Sequence, residues 1–194
     1  TESGNGLHTH FSVLDHAGEN VFCDEEILMS AVAGCLNGFS ASTLFFAPYI
    51  NSYSRFVSEA HAPTSATWGF ENRTVAVRIP GGDTASTRIE HRVAGGDANP
   101  YLLFTAIFGA ALQGIKSELQ PPEPTTGNAY EKPNLSSELL KNLPEAIESI
   151  NHSLIGGFFS EVILQNLAAT KAQEFALFSR MSDHDALLAL IDTA

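Results

Sequence analysis

Thr87-Arg88-Ile89-Glu90-His91-Arg92-Val93, followed closely by Gly95-Gly96-Asp97-Ala98-Asn99-Pro100, decides the fold class. The first seven residues alternate, and alternate residues of a strand share a face. Arg88, Glu90 and Arg92 therefore fall on one side, and Ile89, His91 and Val93 on the other. The glycines make a turn. Asn99 is a good helix N-cap, and Pro100 suits the first helical position. A helix over Pro100 to Lys116 follows, almost wholly apolar and expected at the centre of the core.

Outward from this point, strands precede and helices dominate later. Leu7 to Leu14 alternates, with Leu7, Thr9, Phe11 and Val13 on one face and His8, His10 and Ser12 on the other. Val21-Phe22 is expected to pair back as a short strand after the Asp15–Asn20 turn. Residues 25–46 read as one long helix opening on Glu25 and Glu26 and ended by Pro48. Residues 64–70 and 72–79 read as strands, and Pro80-Gly81-Gly82-Asp83 as a loop. Residues 120–135 form an extended connector around three prolines. Ser137 to Ser149 and Phe158 to Phe178 read as helices, and Ser182-Asp183-His184-Asp185 caps a last one. The class is α+β, a mostly antiparallel sheet packed with helices.

The 194 residues are enough for one domain with a proper core. Net charge is -12, from 10 Lys+Arg against 22 Asp+Glu, which argues against nucleic-acid binding. Five of the six arginines nevertheless lie between Arg55 and Arg92. Arg presents a planar, permanently charged fork that fits carboxylate or phosphate, so the cluster reads either as an anion site or as a set of ion pairs. Residues 27–54 carry no charged side chain and reach span length, but polar, Gly and Pro interruptions make a buried helix the expectation, not a membrane span. Cys23 and Cys35 form no disulfide framework. Reduced, buried thiols in a cytoplasmic protein are expected. The start at Thr1, without Met or a basic leader, reads as a piece of a longer chain.

Two constellations carry chemistry. Arg88, Glu90 and Arg92 could form a salt-bridge ladder, or a metal-binding Glu between two anion-binding arginines. His8 and His10, at i and i+2, share a strand face and could ligate metal, or be ordinary surface histidines. No HExxH or Cys/His framework supports zinc. Mg²⁺ or Mn²⁺ would want mainly oxygen ligands, so His8 with Glu90 is an incomplete set. Gly4-Asn5-Gly6 is a simple turn or a close backbone approach, and not a P-loop.

In order, Gly4-Asn5-Gly6-Leu7-His8-Thr9-His10, Asn51-Ser52-Tyr53-Ser54-Arg55 with Ala62-Pro63, Glu71-Asn72-Arg73 to Arg78-Ile79-Pro80, Arg88-Ile89-Glu90-His91-Arg92, and Asp97-Ala98-Asn99-Pro100-Tyr101-Leu102 resemble the motifs of the glutamine synthetase family. The resemblance runs from residue 4 to about 116 and implies the C-terminal part of that family's catalytic domain across 1–194. It implies His8 and Glu90 as ligands of one divalent metal. Gly4, Arg55 and Arg92 would hold glutamate, and His10, Ser12, Arg73, Arg78 and Arg88 would contact ATP. It further implies γ-glutamyl phosphate chemistry and ring-shaped homo-oligomers with sites between subunits. His61 stands where the family's flap carries Glu, and Ala85 where it carries Lys. With Thr67-Trp68-Gly69-Phe70-Glu71-Asn72-Arg73-Thr74, these departures resemble the γ-glutamylpolyamine synthetase branch. His61 and Arg73 are then the catalytic candidates, and an alkylamine or polyamine is the expected acceptor. Ammonia, or a noncatalytic scaffold that kept the fold, are the competing readings.

Overall fold

A computed structural model describes residues 5–57, 62–131, 139–150 and 157–193. Four three-residue strands form one sheet: β1 (Thr9–Phe11), β2 (Trp68–Phe70), β3 (Val77–Ile79) and β4 (Ile89–His91), in the order β1-β4-β3-β2. β4 is antiparallel to both β1 and β3. The β2–β3 pair is parallel, beside two antiparallel pairs, and both strands are shorter than the 64–70 and 72–79 expected from the sequence. Parallel neighbours normally need a long crossover. Here each strand spans only about 10 Å, so the six residues 71–76 can carry the chain back to its start. That tight return puts Glu71 in the left-handed region, at φ 52°.

Register turns the single-strand alternation into two rows across the sheet. His10 opposes Glu90, which opposes Arg78, which opposes Gly69. One step along, Thr9, His91, Val77 and Trp68 form the other row, on the opposite face. Thr9, His91, Val77, Trp68 and Ile89 are all buried. The core therefore lies on the face expected from Ile89, His91 and Val93.

The uncharged run is two helices instead of one. α1 (Glu25–Asn37) is capped by Asp24, whose side chain accepts from the Glu26 and Ile27 amides, and α2 (Phe39–Phe46) departs from it at 69°. Gly38 is the joint, and a Cβ there would lie 2.8 Å from the Ala110 Cβ. Among the described residues no single helix is long and apolar enough to cross a membrane.

α3 (Pro100–Lys116) has the expected bounds, the Asn99 cap and Pro100 at its start. It crosses α1 where Gly34 meets Gly114. Its position corrects the sequence expectation in part. Leu103, Ala106, Ile107, Ala110 and Ala111 are buried, but Tyr101 (82% exposed), Phe104, Phe108 and Leu112 face outward. Phe104 stacks on Phe108, and Phe108 meets Phe11 of β1 edge-on, so the exposed aromatics form one ladder.

Shorter corrections follow from local hydrogen bonding. Residues 7–14 hold only β1 as regular strand, although Leu14 bridges to Asn20. Val21–Cys23 is a 3-10 turn capped by Asn20, not a strand. Cys35 is buried but Cys23 is exposed, and both are free. Of the helix expected over Ser137 to Ser149, residues 137–138 lie outside the described residues; α4 (Leu143–Ile150) starts after Asn142, whose side chain accepts from the Glu145 amide. α5 (Glu161–Phe178) starts after its cap Ser160, not at Phe158, and α6 (Asp183–Thr193) follows Ser182, which accepts from the Asp185 amide. The buried Lys171 of α5 pairs with Glu174 and sits 4.0 Å above the Tyr49 ring, tying the last helices to the segment before Arg55. The connector lies along the outer side of β2: the Thr125 amide donates to the Trp68 carbonyl, and the Trp68 indole donates to the Pro122 carbonyl.

Candidate functional site

The polar row is centred on Glu90, which is buried. Its Oε1 accepts from Arg92 Nη1 at 2.5 Å and lies 3.2 Å from His8 Nδ1 and 3.6 Å from His10 Nε2. Its Oε2 accepts from Arg78 Nη1 at 2.8 Å. The two guanidiniums flanking the carboxylate are thus Arg92 and Arg78, not Arg92 and Arg88. Arg78 reaches Glu90 directly across the β3–β4 pairing. Arg88 leans the other way, its Nε 3.4 Å from His10 Nδ1 and its Nη1 donating to the Ser86 carbonyl. Ser12 lies exposed just beyond β1.

Burial alone would raise the Glu90 pKa. Hydrogen bonds from His8 and Arg78, with the charges of Arg92 and His10, outweigh it and hold the carboxyl well below the usual range. Burial lowers the His10 pKa, with Glu90 opposing. His91, behind the row, is pushed down to about 3 by burial first and by His8 second. It sits 4.9 Å from the Phe39 ring and 4.8 Å from the Phe46 ring, so it serves as a neutral aromatic spacer under Glu90 and Arg92.

The glycine segments bring a second arginine beside this row. Gly6 bridges to Gly95, and the Gly96 amide donates to the Asn5 carbonyl, so the N-terminal segment lies across the glycine turn. A Cβ on Gly6 would be 3.3 Å from His8 Nε2 and 3.6 Å from Arg55 Nη2, which places the two side chains around the same gap. Arg55 closes a 3-10 turn (Ile50–Arg55) and donates to the Val93 and Ala94 carbonyls at 3.3 and 3.2 Å. Gly4 and His61 lie outside the described residues.

Arg73 belongs to the 71–76 return. Its carbonyl accepts from Arg92 Nη2 at 2.9 Å, while its side chain lines a cleft of about 600 Å³ with Phe70, Glu71, Asn72 and Pro124–Gly127. Two residues here, Asn72 and Glu71, stand in the Arg73 motif but have no role of their own from sequence. Asn72 spends its whole amide on the return: Nδ2 donates to the Thr125 and Gly127 carbonyls, and Oδ1 accepts from the amide and hydroxyl of Thr74. A side chain with two donors and two acceptor positions beside a turn arginine was the available signal. Asn72→Ala removes these bonds and leaves two carbonyls without their donor. At about 1 kcal/mol for each of the four bonds it should cost roughly 4 kcal/mol in urea unfolding and raise hydrogen exchange at Thr125–Gly127.

The donor set suits an anion and a divalent cation side by side. Arg78 Nε and Arg92 Nε are buried and have no hydrogen-bond partner among the described residues. Such orphaned, permanently charged donors fit a phosphate or carboxylate. His8 and Glu90 offer one nitrogen and one carboxylate to a cation. Among the described residues no group of three His, Cys, Asp or Glu completes a metal cage.

Residues 1–187 match the family model described as glutamine synthetase, catalytic domain. The chain is 38% identical over 185 residues to gamma-glutamylputrescine synthetase PuuA of Escherichia coli, covering 92% of this chain and 39% of that protein. It is 36% identical to a glutamate–isopropylamine ligase of a Pseudomonas species, covering 74% of this chain and 33% of that protein. It is 34% identical to a glutamine synthetase of Aquifex aeolicus, covering 89% and 40%. A solved GmaS/ADP complex superposes with a TM-score of 0.81 at 29% identity, covering 96% of this chain and 46% of that one. The chain spans at most about two fifths of the length of these curated relatives.

Proposed function

The chain belongs to the glutamine synthetase catalytic-domain family, and on that premise we propose that the whole protein joins the γ-carboxylate of glutamate to an amine at the expense of ATP. The terminal phosphoryl group passes to glutamate, giving a γ-glutamyl phosphate and ADP. The amine nitrogen then attacks the acyl carbon, phosphate leaves, and the nitrogen gives up a proton.

The observation that carries this reading is the Glu90 row, with two buried guanidiniums holding unfilled donors beside a His–carboxylate pair. Phosphoryl and acyl transfer gather negative charge, and fixed cations stabilise it where it develops. In this reading Arg55 and Arg92, with Gly4, hold glutamate. Arg73, Arg78 and Arg88, with His10 and Ser12, contact ATP and its phosphates. His8 and Glu90 hold Mg²⁺ or Mn²⁺, which supplies further charge neutralisation when bound. His61 would help the incoming amine lose its proton.

The names of two relatives, a putrescine and an isopropylamine ligase, support an alkylamine or polyamine over ammonia. The Aquifex relative keeps ammonia as the second reading. The outward-facing Tyr101, Phe104 and Phe108 support the proposal that 1–194 is the C-terminal part of a larger catalytic domain. Ring assembly and a cytoplasmic setting belong to the same proposal.

The test is ATP- and glutamate-dependent phosphate release by the full-length protein with ammonia, isopropylamine and putrescine in turn. Carbon-bearing amines should be preferred by at least about tenfold in kcat/KM, a difference of about 1.4 kcal/mol. Equal use of ammonia sinks the amine reading. Absence of MgATP binding favours the noncatalytic scaffold. The 194 residues alone should turn over little, because the described residues complete no metal cage.

A further inference from the structure

We propose that Glu71 is a positioning residue for Arg78, holding that guanidinium in place when Glu90 also serves a cation; this rests on the reading that Arg78 contacts nucleotide phosphate. Arg78 stands between two carboxylates. Nη1 donates to Glu90 Oε2 at 2.8 Å, and Nη2 lies 3.3 Å from Glu71 Oε1. The arginine is nearly buried, at 11% side-chain exposure, while Glu71 reaches it from the rim at 61%.

The backbone around Glu71 is built to keep it there. Its amide donates to the Ile79 carbonyl, and its Oε1 accepts from the Gly81 amide as well as from Arg78. A non-glycine residue in the left-handed region costs of order 1–2 kcal/mol. An ion pair exposed on one side returns little of that as stability. The gain lies elsewhere. His8 and Arg92 both address Glu90 Oε1, whereas Arg78 holds Oε2. A cation held by His8 and Glu90 would therefore meet Arg92 first and, by neutralising the shared carboxylate, weaken its hold on Arg78. Without Glu71, Arg78 would then be held by that weakened contact alone. With Glu71, a second bond persists on the side away from Glu90, and the unpartnered Nε keeps its place in the row.

The experiment is a double-mutant cycle on the full-length protein, reading MgATP affinity by titration calorimetry and stability by thermal unfolding. Glu71→Gln keeps an acceptor for the Gly81 amide but removes the charge facing Arg78. It should weaken MgATP about tenfold, the scale of one charge-assisted contact, with an unchanged unfolding midpoint. Glu71→Asn tolerates the left-handed backbone but is too short to reach Arg78, and should weaken binding at least as much. In an Arg78→Ala background neither change should weaken binding further. Wild-type affinity in both Glu71 variants, with Arg78→Ala weakened, overturns the role of Glu71 alone. So do losses that simply multiply in the double mutants. Wild-type affinity in Arg78→Ala overturns the nucleotide reading of Arg78, and this inference with it.

Discussion

Gly34→Ala is expected to lower the unfolding midpoint by about 6–12 °C, and Gly34→Val to abolish a cooperative transition. α1 and α3 cross with their backbones almost in contact. A Cβ on Gly34 would sit 2.2 Å from the Ala110 carbonyl oxygen and 2.8 Å from the Gly114 Cα. One on Gly114 would sit 2.2 Å from the Ser30 carbonyl oxygen. These are backbone atoms in helices, so no side chain can turn aside. The helices must separate, and the surrounding Ala31, Val32, Cys35, Ile107 and Ala111 lose their packing. Overpacking typically costs 1–3 kcal/mol and sometimes more, and about 3 kcal/mol shifts a domain of this length by the stated amount. Calorimetry of the two variants checks it. A midpoint within about 2 °C of wild type for Gly34→Ala, well short of the expected fall of about 6–12 °C, would show that the crossing can relax.

Glu90→Ala should be worse than any other single change in the polar row. It leaves Arg78 and Arg92 buried without their shared carboxylate, and breaking a buried pair from one side costs about 3–5 kcal/mol. The variant should also lose Mn²⁺ binding measured by paramagnetic relaxation. Wild-type protein carries the same dependence in its pH profile. The Glu90 carboxyl is held below its usual range in the folded state, so its stabilisation is complete above the ordinary glutamate pKa of about 4.3 and is lost as pH falls toward the folded value. Acid unfolding of wild type should therefore steepen below about pH 4, and Glu90→Ala should flatten that limb. An unchanged acid limb in the variant would assign the acid transition to other carboxylates.

The alternation of 87–93 was legible because a strand's period needs no partner to be seen. The identity of Glu90's second arginine was not, because it depends on register. Arg78 becomes Glu90's neighbour only through the β3–β4 pairing. The parallel return at 71–76 was hidden for a related reason: two apolar runs joined by a polar turn look the same whether the chain folds back or crosses over. The break at Gly38 lies beside Asn37, but a polar residue and a glycine within a helical run do not fix a 69° bend; the close approach of Ala110 on α3, 72 residues further on, is seen only in the structure. α3 misled in the opposite sense. An all-apolar helix reads as buried on every side, yet this one shows a row of aromatics outward. The family motifs located nearly all the candidate side chains. The side chains that hold those candidates in place, Asn72 and Glu71, emerge only once the return and the connector are seen together.

The connector running beside β2 gives the sheet a direction of growth. With Thr125 bonded to Trp68 on that side, the edge past β1 is the one that no described strand covers. Whatever pairs there arrives beside His10, and every second one of its side chains falls on the same face as His8, His10 and Glu90. The number of carboxylates around the cation position can thus be raised by sequence added at one edge.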